Sequence, residues 1–206
     1  MRNLGLLGLL VVICGGLALT YAAAQKKPGQ RPNAVRQPQV NPRVQQQNKE
    51  VVRQLFEEMF TKGRYELQGQ VFAKNCPVHF GNRNVGIQEA VAEGKGLRSG
   101  APDLVMAINQ ISANGDMVTV SWTARGTHTH PGAGMKPTGK RFTVQGRSEF
   151  KVENGKIVEA FNEEYRPELF RQLGVSKTRA SIFFAGERLL SALGAIIPDS
   201  LYASLF

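Results

Sequence analysis

The amino-acid sequence predicts an α+β domain in which helices precede a single antiparallel sheet and pack on one of its faces. Three observations carry that prediction. Apolar residues recur at helical spacing from Val51 and Val52 through Leu55 and Phe56 to Met59 and Phe60. Beyond Pro102 the period falls towards two. The later segments are joined by Asn114-Gly115-Asp116 and Glu153-Asn154-Gly155-Lys156, short turns whose residues tolerate positive φ and so connect adjacent antiparallel strands. Helices followed by such a meander make an α+β layer arrangement.

Taken in order, the chain opens on Met1-Arg2-Asn3, turns apolar over residues 4–21 and reaches Ala22-Ala23-Ala24-Gln25. This is the basic start, greasy middle and small-residue cleavage site of a secretory signal, which assigns residues 1–24 to a signal peptide cut after Ala24. A retained anchor is the alternative, because the stretch approaches the ~20 residues that a spanning helix needs. Gly8, Gly15, Gly16 and the three alanines favour cleavage. Lipid attachment at Cys14 is disfavoured by Ile13 before it, where a small residue is wanted. The mature protein is thus expected to be secreted or periplasmic. Cys76 would be its one cysteine, which leaves no intrachain disulfide and reads as a small buried hydrophobe.

Residues 25–47 contain seven Gln and four Pro, together with Lys26, Lys27, Arg31, Arg36 and Arg43 and no acid. So little apolar surface cannot offset the entropy of ordering, and the segment reads as a disordered basic linker. It holds +5 of the chain's net +10 and could rest weakly against an anionic envelope surface. No cluster of basic residues interleaved with aromatics follows, which argues against nucleic acid as a partner.

The domain proper is expected at residues 48–174. Asn48 is placed to cap the first helix and Gly63 to end it; a short second helix covers residues 65–72 with Leu67 and Val71 inward; a third covers residues 86–98. Strands are expected at residues 104–112, 117–130, 142–152 and 157–165. Residues 175–206 read as an amphipathic helical tail with Ile182, Leu189, Leu193 and Ile196 on one side and Pro198 at its end. Glu187-Arg188 and its length argue against a span, so the tail is expected to pack on its own domain or a second subunit rather than on a membrane surface.

Several stretches together resemble the SnoaL-like polyketide cyclase, or ester cyclase, branch of the nuclear transport factor 2-like superfamily. They are Asn48-Lys49-Glu50-Val51-Val52-Arg53 with Phe60-Thr61-Lys62-Gly63, Phe72-Ala73 leading to His79, Pro102-Asp103-Leu104, and Trp122-Thr123-Ala124-Arg125-Gly126-Thr127-His128-Thr129. Pro137-Thr138-Gly139-Lys140-Arg141, Gly155-Lys156-Ile157-Val158-Glu159 and Gln172-Leu173-Gly174 continue the series in the family's order. The resemblance implies a cone in which a strongly curved antiparallel sheet wraps around N-terminal helices to enclose a pocket. It also implies cofactor-free and metal-free acid/base chemistry on a small, mostly apolar molecule, of cyclase or isomerase type. Such chemistry needs one group to take a proton beside a carbonyl and donors to hold the developing enolate.

The family's last strand runs Ile-x-Glu-x-Trp, with an acidic general acid/base four residues on; here those positions are Ile157, Glu159, Phe161 and Tyr165. Unbroken alternation would send Glu159, Phe161, Glu163 and Tyr165 to one face. Glu163 is then the candidate proton carrier, against a plain solvated glutamate, with Tyr165 as oxyanion donor. His128 is a second candidate proton carrier, and His79, Trp122, Phe161 and Glu159 are candidate ligand contacts. His79 and His128 fall where the family has histidine, and a structural role in the wall is the alternative for both. Trp122 has core packing as its alternative. His128 and His130 at i, i+2 invite a metal, but no acid lies near them in sequence and a strand end before Pro131-Gly132 accounts for His130, so no metal is expected. The competing function is a non-catalytic ligand-binding or homodimerising module on the same fold.

Overall fold

The computed structural model describes residues 41–132 and 135–192. The expected signal peptide, residues 25–40 of the expected linker, and Leu193, Ile196 and Pro198 of the tail lie outside the described residues. Helix α1 (Pro42–Arg53) begins at Pro42 and not at Asn48. Asn41 caps it by accepting the Arg43 N–H at 3.0 Å, and Pro42 occupies the first turn, where its missing N–H leaves nothing unpaired. Residues 42–47 therefore belong to the helix rather than the tether. Asn48 lies buried within it and donates to the Gly115 carbonyl at 3.3 Å, tying the helix to a hairpin turn.

The helix continues as a π-helical stretch, Gln54–Thr61, that buries Leu55, Phe56 and Met59. Gly63 then takes φ +74° and breaks the run. A 3-10 turn (Tyr65–Leu67) leads into α2 (Gln68–Val71), which buries Val71, and α3 (Ile87–Gly100) buries Ile87 and Val91.

The strands are β1 (Pro77–Phe80), β2 (Arg83–Gly86), β3 (Val105–Asn114), β4 (Met117–Thr127), β5 (Arg141–Glu153) and β6 (Lys156–Asn162). They form one sheet in the order β2-β1-β6-β5-β4-β3. The expected meander is present as β3 to β6. Its hairpins close where expected, pairing Asn114 with Met117 and Glu153 with Lys156, and Gly115, Asn154 and Gly155 take positive φ. The β1–β2 hairpin escaped the sequence reading because four residues per strand are too few to display alternation. It extends the sheet by running β1 parallel to β6.

Strand β6 stops at Asn162, three residues short of the expected end. The chain instead turns into α4 (Arg166–Leu173), with Pro167 in its first turn and Gly174 at φ +84° closing it. Helix α5 (Lys177–Ala192) follows and packs on α4 of its own chain, Phe183 and Phe184 meeting Phe170 at 5.3 and 5.6 Å between ring centroids. Of the stripe expected to pack, Ile182 and Leu189 are 53% and 64% exposed on the single chain. None of the described helices is long and apolar enough to cross a membrane.

The inner face of the sheet is apolar and alternates along β4 and β5, while a register shift at Lys151 and Val152 brings Ile157 and Ala160, three residues apart in β6, to it together. Val118, Val120, Trp122 and Ala124 of β4, Phe142, Val144 and Phe150 of β5, and Ile157 and Ala160 of β6 pack against Val52, Leu55, Phe56 and Met59. Cys76 is buried here too, and burial pushes its thiol up to about 11, which keeps it protonated.

Candidate functional site

The inner face and α3 line a cavity of about 80 Å³, several times the ~10–15 Å³ that admits one water. The first helix and its π-helical extension supply Leu55, Phe56 and Phe60; β1 supplies Val78 and Phe80; α3 supplies Ile87, Ala90 and Leu97; Met106 and Phe150 complete much of the rest. Polar side chains are few: Glu93, Ser148, Asn162 and Tyr165, with the indole nitrogen of Trp122.

Three of these groups satisfy one another. Trp122 Nε1 donates to Ser148 Oγ at 3.0 Å, Ser148 Oγ donates to Asn162 Oδ1 at 2.7 Å, and Asn162 Nδ2 donates to the His79 carbonyl at 3.3 Å. The chain fixes the indole plane and leaves no spare donor on Trp122. Gly146, opposite Trp122 in the β4–β5 register, makes room for it: a Cβ there would lie 2.4 Å from the indole ring.

Two polar groups are left facing the cavity. The Tyr165 ring meets Trp122 edge-on at 5.9 Å, and its hydroxyl bonds to no other described residue. Burial, followed by the nearby Glu93 charge, pushes its pKa well above the ordinary tyrosine value, so at neutral pH the group is a hydrogen-bond donor. Glu93 reaches in from α3. Its Oε1 is 2.6 Å from Arg83 Nη1, whereas Oε2 is buried and lacks a partner. Arg83 also pairs with Glu89 at 3.2 Å and lies 4.9 Å over Phe80, with its Nε and Nη2 buried and unpartnered.

Of the residues singled out from the sequence, the structure brings Trp122 and Tyr165 to the cavity. The other five lie elsewhere. Glu163 is exposed, its Oε2 accepting the Arg147 backbone N–H at 3.0 Å, so it stands outside the hollow it was expected to enter. Alternation explains this, since β6 holds Glu159 and Phe161 on the outer face and Glu163 follows them outward. Tyr165 escapes the same fate because the backbone has left the strand; its φ −98° and ψ −17° turn it inward at the start of α4.

Glu159 and Phe161 are joined on the outer face by His79, likewise not a cavity contact. The His79 ring stacks on Phe161 at 4.6 Å, its Nε2 is 2.9 Å from Glu159 Oε1 and its Nδ1 is 2.6 Å from Asn84 Oδ1. Both nitrogens thus face oxygen acceptors, Asn84 first, and the ring's pKa is raised. His128 is buried, but beside Gly100 and the 128–139 loop rather than in the cavity. Its Nδ1 is 3.2 Å from Thr138 Oγ1 and its Nε2 has no partner; burial lowers its pKa, opposed by the Gly132 backbone. Among the described residues no group of three or more His, Cys, Asp or Glu side chains could hold a metal ion.

Glu93 was missed by the sequence reading. Its signal was positional: it lies three residues after Ala90 and four before Leu97, a carboxylate on the apolar inward stripe of α3.

Helices cupped by one curved, mostly antiparallel sheet over an apolar cavity define a nuclear transport factor 2-like fold. Within that class, the family description SnoaL-like polyketide cyclase matches residues 50–173, and the chain belongs to this family. A candidate SnoaL-like polyketide cyclase from Jannaschia sp. CCS1 is 26% identical and superposes with a TM-score of 0.54 over 60% of this chain and 89% of its own. Two further solved structures share the fold. A candidate polyketide cyclase from Bacillus cereus has 22% identity and a TM-score of 0.55, covering 66% of this chain and 89% of that one. The candidate hydroxylase AclR from Streptomyces galilaeus has 21% identity and a TM-score of 0.57, with 63% and 97% covered. Among curated proteins, none matches.

Proposed function

We propose that this protein binds a small, mostly apolar molecule bearing a carbonyl group, and performs on it cofactor-free acid/base chemistry of the cyclase or isomerase type. The observation that carries the reading is the Tyr165 hydroxyl, a donor without a partner among the described residues in a cavity whose walls are mostly greasy. A carbonyl oxygen seated there gains a hydrogen bond that strengthens as the oxygen acquires negative charge, in surroundings too apolar to screen it. Family membership supports the same reaction class.

The test is ligand-induced thermal stabilisation with a panel of aryl ketones and diketones, repeated in Tyr165→Phe. Loss of one hydrogen bond of ~1.4 kcal/mol corresponds to about tenfold weaker binding of the carbonyl compounds, while carbonyl-free analogues of the same shape bind both proteins alike. Stabilisation by neither set, or equal loss for both, rejects the reading.

A second reading, a homodimerising module, is favoured by Phe161, which is 40% exposed beside His79 on the outer face. Sedimentation of the wild type against Phe161→Asp separates it: a dimer lost in the variant supports that use of the face. We place the protein outside the cytoplasm on the strength of residues 1–24, with the basic leader free to touch an anionic surface; a mature N-terminus at Gln25 is the expected outcome.

A further inference from the structure

Resting on the cavity being the ligand site, we propose that Glu93 is the catalytic proton carrier of this protein, replacing from α3 the carboxylate that is absent at Tyr165, and that Arg83 is its positioning residue. The reaction class needs a base at the substrate carbon and a donor at the substrate oxygen. The cavity has one free candidate for each. Ser148 and Asn162 are consumed by the hydrogen-bond chain from Trp122, and Glu163 and His128 are outside. Tyr165 keeps its proton and is the donor. Glu93 alone among the lining residues carries a carboxylate.

The geometry around Glu93 suits the role. Arg83 grips Oε1 at 2.6 Å and leaves Oε2 buried without a partner, so one oxygen is anchored and the other is uncommitted. Arg83 is itself held by Glu89 and by the Phe80 ring, which stops the carboxylate from swinging freely. Glu93 and Tyr165 line the same cavity, and the Glu93 charge is felt at the Tyr165 hydroxyl. The charged and titratable neighbours of this end of the cavity are Arg83, Glu89, Glu164, Arg166 and Tyr165.

The step balances without an outside reagent. Glu93 Oε2 takes the proton from the carbon beside the carbonyl; the C–H pair becomes the enolate double bond, and the carbonyl π pair moves to the oxygen held by Tyr165. In an isomerisation the proton returns to another carbon. In ring closure the enolate carbon attacks a second carbonyl of the same molecule, and the new alkoxide takes the proton back from Glu93. A carboxylate needs no exceptional basicity for this when a donor stabilises the enolate.

Base-promoted ring opening of nitrobenzisoxazole tests the assignment without knowledge of the natural ligand. One C–H proton is lost to the base, a nitrile forms, the N–O bond breaks and a coloured cyanonitrophenolate is released. For the full-length mature protein we expect a rate about a hundredfold above the same concentration of acetate, rising with pH. Glu93→Gln removes about tenfold or more of that rate, while the probe raises its melting temperature as in the wild type. Glu93→Asp recovers part of the rate, and Arg83→Met alters the pH profile. Glu163→Gln keeps both the rate and the profile. A full rate in Glu93→Gln, or a wild-type rate no greater than acetate despite probe-induced stabilisation, overturns the role of Glu93 and leaves the binding reading intact. If the probe neither stabilises the wild type nor reacts faster than with acetate, both are overturned. Should Glu93→Gln fail to fold, the Glu93→Asp rate and the wild-type pH profile decide, and a pH-independent rate counts against the proposal.

Discussion

Ala160 and Phe161 are neighbours in β6, yet Ala160 is sealed at 2% exposure against the cavity while Phe161 stands outward, stacked on His79. The same division runs through the whole sheet: Trp122, Ser148 and Asn162 knit the inner face, whereas the Arg147–Glu149 ion pair and the hydrogen-bonded His79 and Glu159 face out. Residues with similar chemical promise in the sequence thus acquire opposite surroundings from a difference of one position. On the strands, what separates a candidate site residue from a surface decoration is the parity of its place, and a break or a bulge changes it.

Paired substitutions across the two faces probe this contrast most strongly. Ala160→Asp buries an unpaired carboxylate and is expected to cost about 3–5 kcal/mol, or to prevent folding, while Phe161→Asp one residue on loses at most the ring stack, about 0.5–1.5 kcal/mol. Urea denaturation of both variants measures the gap, and equal costs would mean that the faces are not distinct. Next in size is Gly146→Ala, whose methyl group would meet the Trp122 indole at 2.4 Å. Overpacking of this kind costs about 1–3 kcal/mol, and it should also displace the indole, readable as a change in fluorescence, and weaken ligand binding.

The subtlest effect is one of pH. His79 has a raised pKa, so its contribution is fully present below the ordinary histidine value of 6.5 and is lost as pH rises through the folded value above it. His128 has a lowered pKa, so its contribution is present above 6.5 and is lost as pH falls through the folded value below it. His79→Gln should therefore destabilise most at the acid end of a titration, and His128→Gln most at the alkaline end. The reverse order in denaturation midpoints would show that the outer and inner histidines had been assigned the wrong environments.

The meander was legible because its signals are local: two turns demanding positive φ and alternation along the strands that they join. The first helix was legible in its apolar half and not in its start, since Asn41-Pro42 is a capping signal set within a Gln-rich run that otherwise looks disordered. The site was read less well. Trp122 and Tyr165 were found, but Glu163 was expected inside because the strand was extended through Tyr165, and nothing local in the sequence marks Asn162 as its end. Glu93 required knowing that α3 covers the cavity, a tertiary fact that the spacing of Ala90 and Leu97 hints at without specifying.

The seam between β1 and β6 joins partners some eighty residues apart, as the His79 to Glu159 contact records, whereas the β3–β4 and β5–β6 hairpins close over two-residue turns. Loop-closure entropy makes the distant pairing the slower one to form. The wall that carries Phe80 and Arg83 is therefore expected to arrive late, after the rest of the sheet has assembled, and a chain interrupted before β6 would have nowhere to dock it. Shelter from water at the Tyr165 end of the hollow is, on this account, a property of the finished molecule that no earlier fragment possesses.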